Sequence, residues 1–200
     1  MKKLSILVVA LATSVSSIFA NNENEKALKV NKKVSEVEWV GKKVTGQHNG
    51  TVGISKGEVY VNGDQLMRGS LMLDMKKIVC LDLEGEYNDK FIGHMHSDDF
   101  FSTEAYPTAT FTFNKVEALQ SSNTDATHNL VGELTIKGKT HPLTVPAEVY
   151  VRDNGVVAMG TVTVDRTLYD IKYGSASFFE GLGDKAIDNE FTITFKVGAK

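Results

Sequence analysis

The sequence predicts an all-β protein whose antiparallel strands bring their apolar faces together in a sandwich or a closed barrel. Three observations predict it. From Val34 onward nearly every segment alternates apolar and polar residues with period two, as half-buried antiparallel strands do. Asn62-Gly63 and Asn154-Gly155 are two-residue hairpin signals, and Lys137-Gly138-Lys139 is a third. No helical repeat is long enough to cover a sheet face and no spacing suggests parallel crossovers, so the apolar faces must meet one another.

The chain opens with Met1-Lys2-Lys3, an apolar run from Leu4 to Ala12 too short to span a bilayer, and a small-residue stretch from Thr13 to Ala20. Residues 1–20 therefore read as a secretory signal, which implies a periplasmic or secreted location. Residues 21–33 are rich in Asn, Glu and Lys and read as a loose polar tail. Residues 34–200 form one domain, because 42% hydrophobic content without a long charge run suits a single buried core. Removing Lys2 and Lys3 from the 22 basic residues leaves 20 against 25 acidic ones, a formal charge of −5. A mildly acidic chain has no electrostatic pull toward nucleic acid. Cys80 is alone, so no internal disulfide forms and a buried free thiol is expected.

The alternation assigns faces along the strands. Val37 and Trp39 share one face of the first; Met67, Gly69, Leu71, Leu73 and Met75 share one face of another. Later faces are Leu130 to Ile136, Leu143 to Val151, Val156 to Val164, and Phe191 to Val197, each taken at every second residue. Gly69, Ala109, Gly132, Ala147, Ala158 and Gly160 are small inward positions, which either fit the taper of a filled barrel or thin its interior into a cavity.

Between Gly93 and Phe113 the pattern changes. Asn88 or Asp89 caps a helix of about two turns with Phe91, Ile92 and Met95 as its apolar members, ending near His96. Tyr106 precedes Pro107 and is pushed toward an extended conformation. It launches a strand in which Ala109, Phe111 and Phe113 share a face. The segment reads as a plug that leads into the sheet.

His94-Met95-His96-Ser97-Asp98-Asp99-Phe100-Phe101, followed by Tyr106-Pro107 and Phe111, resembles the H-L-x-S-x-D-F-F…Y-P…F signature of the YceI-like lipid and polyisoprenoid-binding family. Gly132 to Thr140 is similar to that family's G-x-L-T-I-x-G-x-T. Asp165-Arg166 through Tyr173-Gly174 is similar to its R-x-x-(aromatic)-x-I-x-Y-G stretch, and Ser35, Trp39 and His48-Asn49-Gly50 match its early pattern. Many members carry an Arg-Asp pair before the motif's histidine. Here Ile92-Gly93 stands there, so no role of that pair carries over.

The resemblance implies a lipocalin-like eight-stranded antiparallel β-barrel with a short plug helix. Such a barrel can enclose one small ligand. The implied ligand is a long apolar chain, namely a polyisoprenoid, an isoprenoid quinone or a fatty acyl derivative, stored or carried without catalysis and without a cofactor. Trp39, Phe100, Phe101, Tyr106, Phe111 and Phe113 are the candidate lining residues, with Phe178-Phe179 as a second lid. His94, Arg166 and Lys172 are candidates for the ligand's polar end; pairing with Asp165 or Asp170 is the ordinary alternative for Arg166. Expected partners beyond the ligand are a membrane touched in transit and a second copy covering the open ends.

Two rival chemistries are weaker. His94-x-His96 beside Asp98 and Asp99, with His48 and His128 elsewhere, has metal-ligating residue types, but positions two apart diverge on a helix. A metal- or protein-binding barrel with a solid core is the alternative function. Ser97, His94 and Asp99 are triad residue types at a spacing that aligns poorly on one helix; neither a G-x-S-x-G elbow nor a phosphate-cradling glycine loop occurs.

Overall fold

The computed structural model describes residues 25–120, 124–152 and 155–200. In chain order these form β1 (Lys26–Lys29), β2 (Glu36–Lys43), β3 (Gly46–Asn62), β4 (Gln65–Cys80), α1 (Gly85–His96), β5 (Thr108–Ala118), β6 (His128–Ile136), β7 (Lys139–Arg152), β8 (Gly155–Asp165) and β9 (Ile187–Ala199). From β2 to β9 each strand pairs antiparallel with the next, β4 with β5 included although α1 lies between them. Pairing of β2 with β9 closes the ring. The result is a closed eight-stranded antiparallel barrel with one helix.

β1 is not a ninth stave. It pairs with the second half of β3 (Lys26 opposite Val61), whereas β2 pairs with the first half (Glu38 opposite Thr51). Reciprocal backbone bonds of 3.0 Å join Lys29 and Lys200 on its other side. β1 and β2 therefore share one position in the ring, broken by a turn in which Ser35 Oγ donates to Asn31 O (2.8 Å) and accepts from Gly198 N (3.0 Å). This corrects the expected loose tail within residues 26–33. Leu28, 5% exposed, is an inward side chain in a polar stretch, and composition cannot reveal a strand held by its ladder and one apolar anchor. Residues 1–20, expected as a secretory signal, and residues 21–24 lie outside the described residues.

The alternation otherwise places its residues as expected, with a slip in β4. Tyr60 pairs with Arg68 but Val61 with Leu66, so a bulge lies between them. Leu66 consequently takes the buried place expected for Met67. Two hairpin turns also settle. Ile136 pairs with Lys139, and Lys137 and Gly138 both have positive φ (49° and 72°), as a type I′ turn requires. The β3–β4 turn is centred on Gly63-Asp64, one residue later than expected, since Asn62 pairs with Gln65. Arg152 pairs with Gly155; the expected Asn154 turn residue lies outside the described residues.

α1 is longer than the predicted two turns, with 12 residues. Its N-cap is Glu84, not Asn88 or Asp89, which lie inside the helix. No side chain caps that end, so the usual acceptor signal is absent from the sequence. The C-terminus falls where expected: Ser97 Oγ donates to His94 O at 2.7 Å. Met95 is buried, and Phe91 and Ile92 pack against the barrel core. Tyr106-Pro107 then delivers the chain to β5, where Met75 N donates to Pro107 O (2.9 Å).

Candidate functional site

The barrel interior is not filled. A cavity of about 380 Å³ runs from His48, Phe91 and His94 under α1 to Val145, Val156 and Ala199 near the other end. That is within the range of about 300–1,000 Å³ typical of ligand pockets. Its wall is built by the inward positions of the strands: Val37 and Trp39 from β2, Leu71, Leu73 and Met75 from β4, Ala109, Phe111 and Phe113 from β5, Val162 from β8, and Phe191, Ile193 and Phe195 from β9. Ala109 and Ala158 are small where they face it. Gly132 is small for another reason, because a Cβ there would lie 2.1 Å from Thr112 O; it lets β5 and β6 approach.

The helix end holds the polar groups. His94 faces the cavity between two rings, Phe100 at 5.6 Å and Tyr173 at 4.3 Å between centroids. Its Nε2 is buried and has no hydrogen-bond partner among the described residues. Such an atom is costly unless something in the cavity bonds to it. Trp39 stacks on Phe91 at 6.0 Å, and its Nε1 donates to Thr51 O (3.3 Å). Phe100 and Phe101 are buried and meet edge to face at 5.0 Å.

Arg166 also lines this end, only 2% exposed. It donates to Asp188 O (2.9 Å), Ile171 O (2.7 Å) and Ile187 O (3.1 Å). It therefore ties the start of β9 to the loop after β8. Neither acid expected to pair with it does so: Asp165 accepts from Thr167 N and Oγ1, and Asp170 pairs with Lys172 at 2.7 Å. Burial pulls the guanidinium below its ordinary value, while Asp165 and Asp188 act in the opposite direction. Three carbonyls leave part of its five-donor fork free.

The YceI-like domain model matches residues 28–199, nearly all of the barrel. The chain belongs to the YceI-like family. In structure it is similar to BcnA of Burkholderia cenocepacia, with TM-score 0.66 and 21% identity over 86% of this chain and 99% of that one. It is also similar to a polyisoprenoid-binding domain of Saccharophagus degradans implicated in plant cell wall breakdown, with TM-score 0.59 and 12% identity over 86% and 97%. In sequence it is 36% identical to a UPF0312 protein of Photorhabdus laumondii over 73 residues, about a third of each chain.

Seven of the eleven ligand-binding candidates line the cavity: Trp39, His94, Phe100, Phe101, Phe111, Phe113 and Arg166. Four do not. Tyr106 is 40% exposed and lies over the Gly138 turn, because the Tyr-Pro corner turns its ring outside the barrel. Phe178 and Phe179 are 48% and 50% exposed; their loop passes beside the mouth without entering it. Lys172 is absent from the wall too, held by Asp170.

The rival chemistries also find their places. Ser97 Oγ is occupied by the His94 carbonyl, so Ser97, His94 and Asp99 do not assemble a triad. Metal-ligand spacing appears not at His94 and His96 but at His48, Cys80 and Asp82, whose donor atoms all lie within 4.8 Å of one another. Burial acts to raise the Asp82 carboxyl, but bonds from Asn49 N, His48 and Cys80 outweigh it and hold the group at about 2. Sequence reasoning missed this cluster. The signal was present as Cys80-x-Asp82, two residues apart where β4 ends, but its partner His48 lies on β3, which alternation marks poorly.

Proposed function

We propose that this protein binds one long unbranched or isoprenoid chain inside its barrel and stores or carries it without turning it over. The observation that carries the reading is the apolar cavity extending from His94 to Ala199. Each buried methylene contributes roughly 0.8 kcal/mol, so a chain of ten to fifteen carbons contributes about 8–12 kcal/mol before the cost of association. The polar end belongs at the helix mouth. There the unpartnered Nε2 of His94 and the remaining donors of Arg166 would meet a hydroxyl, amide, quinone or phosphate oxygen. A basic, apolar and small-residue start to the chain supports action outside the cytoplasm.

Entry fits the same end. Tyr173 contacts His94, and the half-exposed Phe178 and Phe179 follow it in the loop, so this rim is the surface we assign to touching a bilayer.

Native mass spectrometry of protein purified without detergent, followed by organic extraction, tests the reading. One lipid class at one per barrel, released on unfolding, is the expected result, with a rise in melting temperature when that lipid is added back to stripped protein. A clean apo mass that refuses polyprenyl, quinone and acyl lipids without any melting shift would overturn it. Hydrolysis of an added lipid ester, lost in Ser97→Ala, would overturn the non-catalytic part alone.

A further inference from the structure

Beside the mouth of the cavity, one group of side chains bonds within itself. Gly50 pairs with Cys80, and Leu81 N donates to Asn49 O (2.9 Å), which sets His48 opposite Asp82. β4 ends at Cys80, and the chain just past it turns Asp82 back to the thiol and to His48 on the neighbouring strand. The fourth corner of this square is Gly50. A Cβ there would fall 1.7 Å from Val79 O and 2.8 Å from Trp39, so no side chain can occupy the corner beside the thiol.

The three groups already converge on one another. His48 Nδ1 lies 2.8 Å from Asp82 Oδ2, and the Cys80 thiol donates to Asp82 Oδ1 at 3.2 Å. Cys80 is buried, whereas the side chains of His48 and Asp82 are about a quarter and a third exposed. The thiol is thus anchored, and the open side of the group faces solvent. A soft sulfur, an imidazole nitrogen and a carboxylate form the kind of mixed set that takes zinc-like ions. Bonds of 2.0–2.3 Å to a tetrahedral ion would set these donors roughly 3.3–3.6 Å apart. The widest present separation is bounded by 4.8 Å, so a closure of about 1 Å suffices.

We infer that His48, Cys80 and Asp82 form a binding site for a thiophilic divalent cation of the zinc type at the rim of the barrel. Binding forms a sulfur–metal bond and releases the thiol proton to water, with no change of oxidation state. Three protein donors leave one position of a tetrahedral ion for water or another ligand. His48 lines the cavity and packs on Phe91 at 4.9 Å, so the ion would sit beside the mouth. The inference does not depend on what the cavity holds.

The test titrates reduced, metal-stripped full-length protein with Co²⁺ and follows the near-ultraviolet thiolate-to-cobalt charge-transfer band. One equivalent producing that band, bleached by one equivalent of Zn²⁺ and lost in Cys80→Ser and His48→Gln, is expected. Should either variant fail to fold, the unmodified chain still decides: one equivalent of Zn²⁺ must raise the melting temperature, and a chelator must reverse the rise. Cobalt uptake without a thiolate band, a band that survives Cys80→Ser, or a melting temperature indifferent to zinc would each overturn the site.

Discussion

At the scale of single residues, two positions that constrain the molecule carry no apolar side chain. Arg166 holds three backbone carbonyls at the mouth, and truncating it strands the Ile171 carbonyl of a buried bond and takes the donor from the part-buried Asp188 and Ile187 carbonyls. Arg166→Met should cost at least about 2 kcal/mol in denaturant unfolding, since one stranded buried acceptor costs about 1–3 kcal/mol and each further bond lost about 0.5–1.5 kcal/mol. Arg166→Lys should recover only part of that, because one ammonium cannot span the fork. Gly132→Ala pushes a Cβ against the Thr112 carbonyl; we expect a loss near 3 kcal/mol, at the upper end of overpacking, read as a lower midpoint at unchanged slope. The aromatic positions were legible in the sequence because period two assigns Phe111 and Phe113 to one face whatever the strands close into. Tyr106, Phe178 and Phe179 were not. Their exposure is set by where a corner and a loop lie relative to the barrel, and no local pattern encodes that.

At the scale of elements, the strands that the alternation missed are those that receive their order from neighbours. β1 is four residues long, has one buried side chain and is paired on both sides, to β3 and to Lys200. Leu28→Ala should therefore lower stability by about 2–3 kcal/mol. It should also remove hydrogen-exchange protection from Lys29 and Lys200 together while the α1 amides keep theirs. Uniform loss across the barrel would mean that β1 belongs to the same cooperative unit as the rest. β3 escaped for a different reason. Of its three register shifts against β4, one inserts a residue in β3 itself, Ser55, and it moves the buried positions from Gly50 and Val52 to Val59 and Val61, so a 17-residue strand shows no single alternation. α1 was visible in its apolar members and its Ser97 stop, but not in its start, where Gly85 has positive φ and no side-chain cap marks the entry.

For the whole molecule, closure decides function, and closure was the feature least visible in the residues themselves. Sandwich and barrel share the same alternation; what separates them is the pairing of β2 with β9, which joins Val37 to Phe195 from opposite ends of the chain. Only the family resemblance selected the barrel in advance. Closure also makes the interior a single space, so a residue far from the mouth can limit what enters it. Ala158 on β8 faces the cavity, and enlarging it distinguishes a chain-holding barrel from a packed one by opposite signs. If the space beside it is empty, Ala158→Leu buries new apolar carbons at roughly 0.8 kcal/mol each. The ligand-free protein should then melt higher, by about 2–4 °C for each kcal/mol gained, while the longest chain it retains becomes shorter. If the interior is effectively full, the same substitution costs about 1–3 kcal/mol and leaves chain-length preference unchanged. Melting curves of the stripped protein, paired with competition between acyl chains of graded length, read both signs at once. A higher melting point with a shortened chain limit is the outcome expected of a barrel whose emptiness is its function.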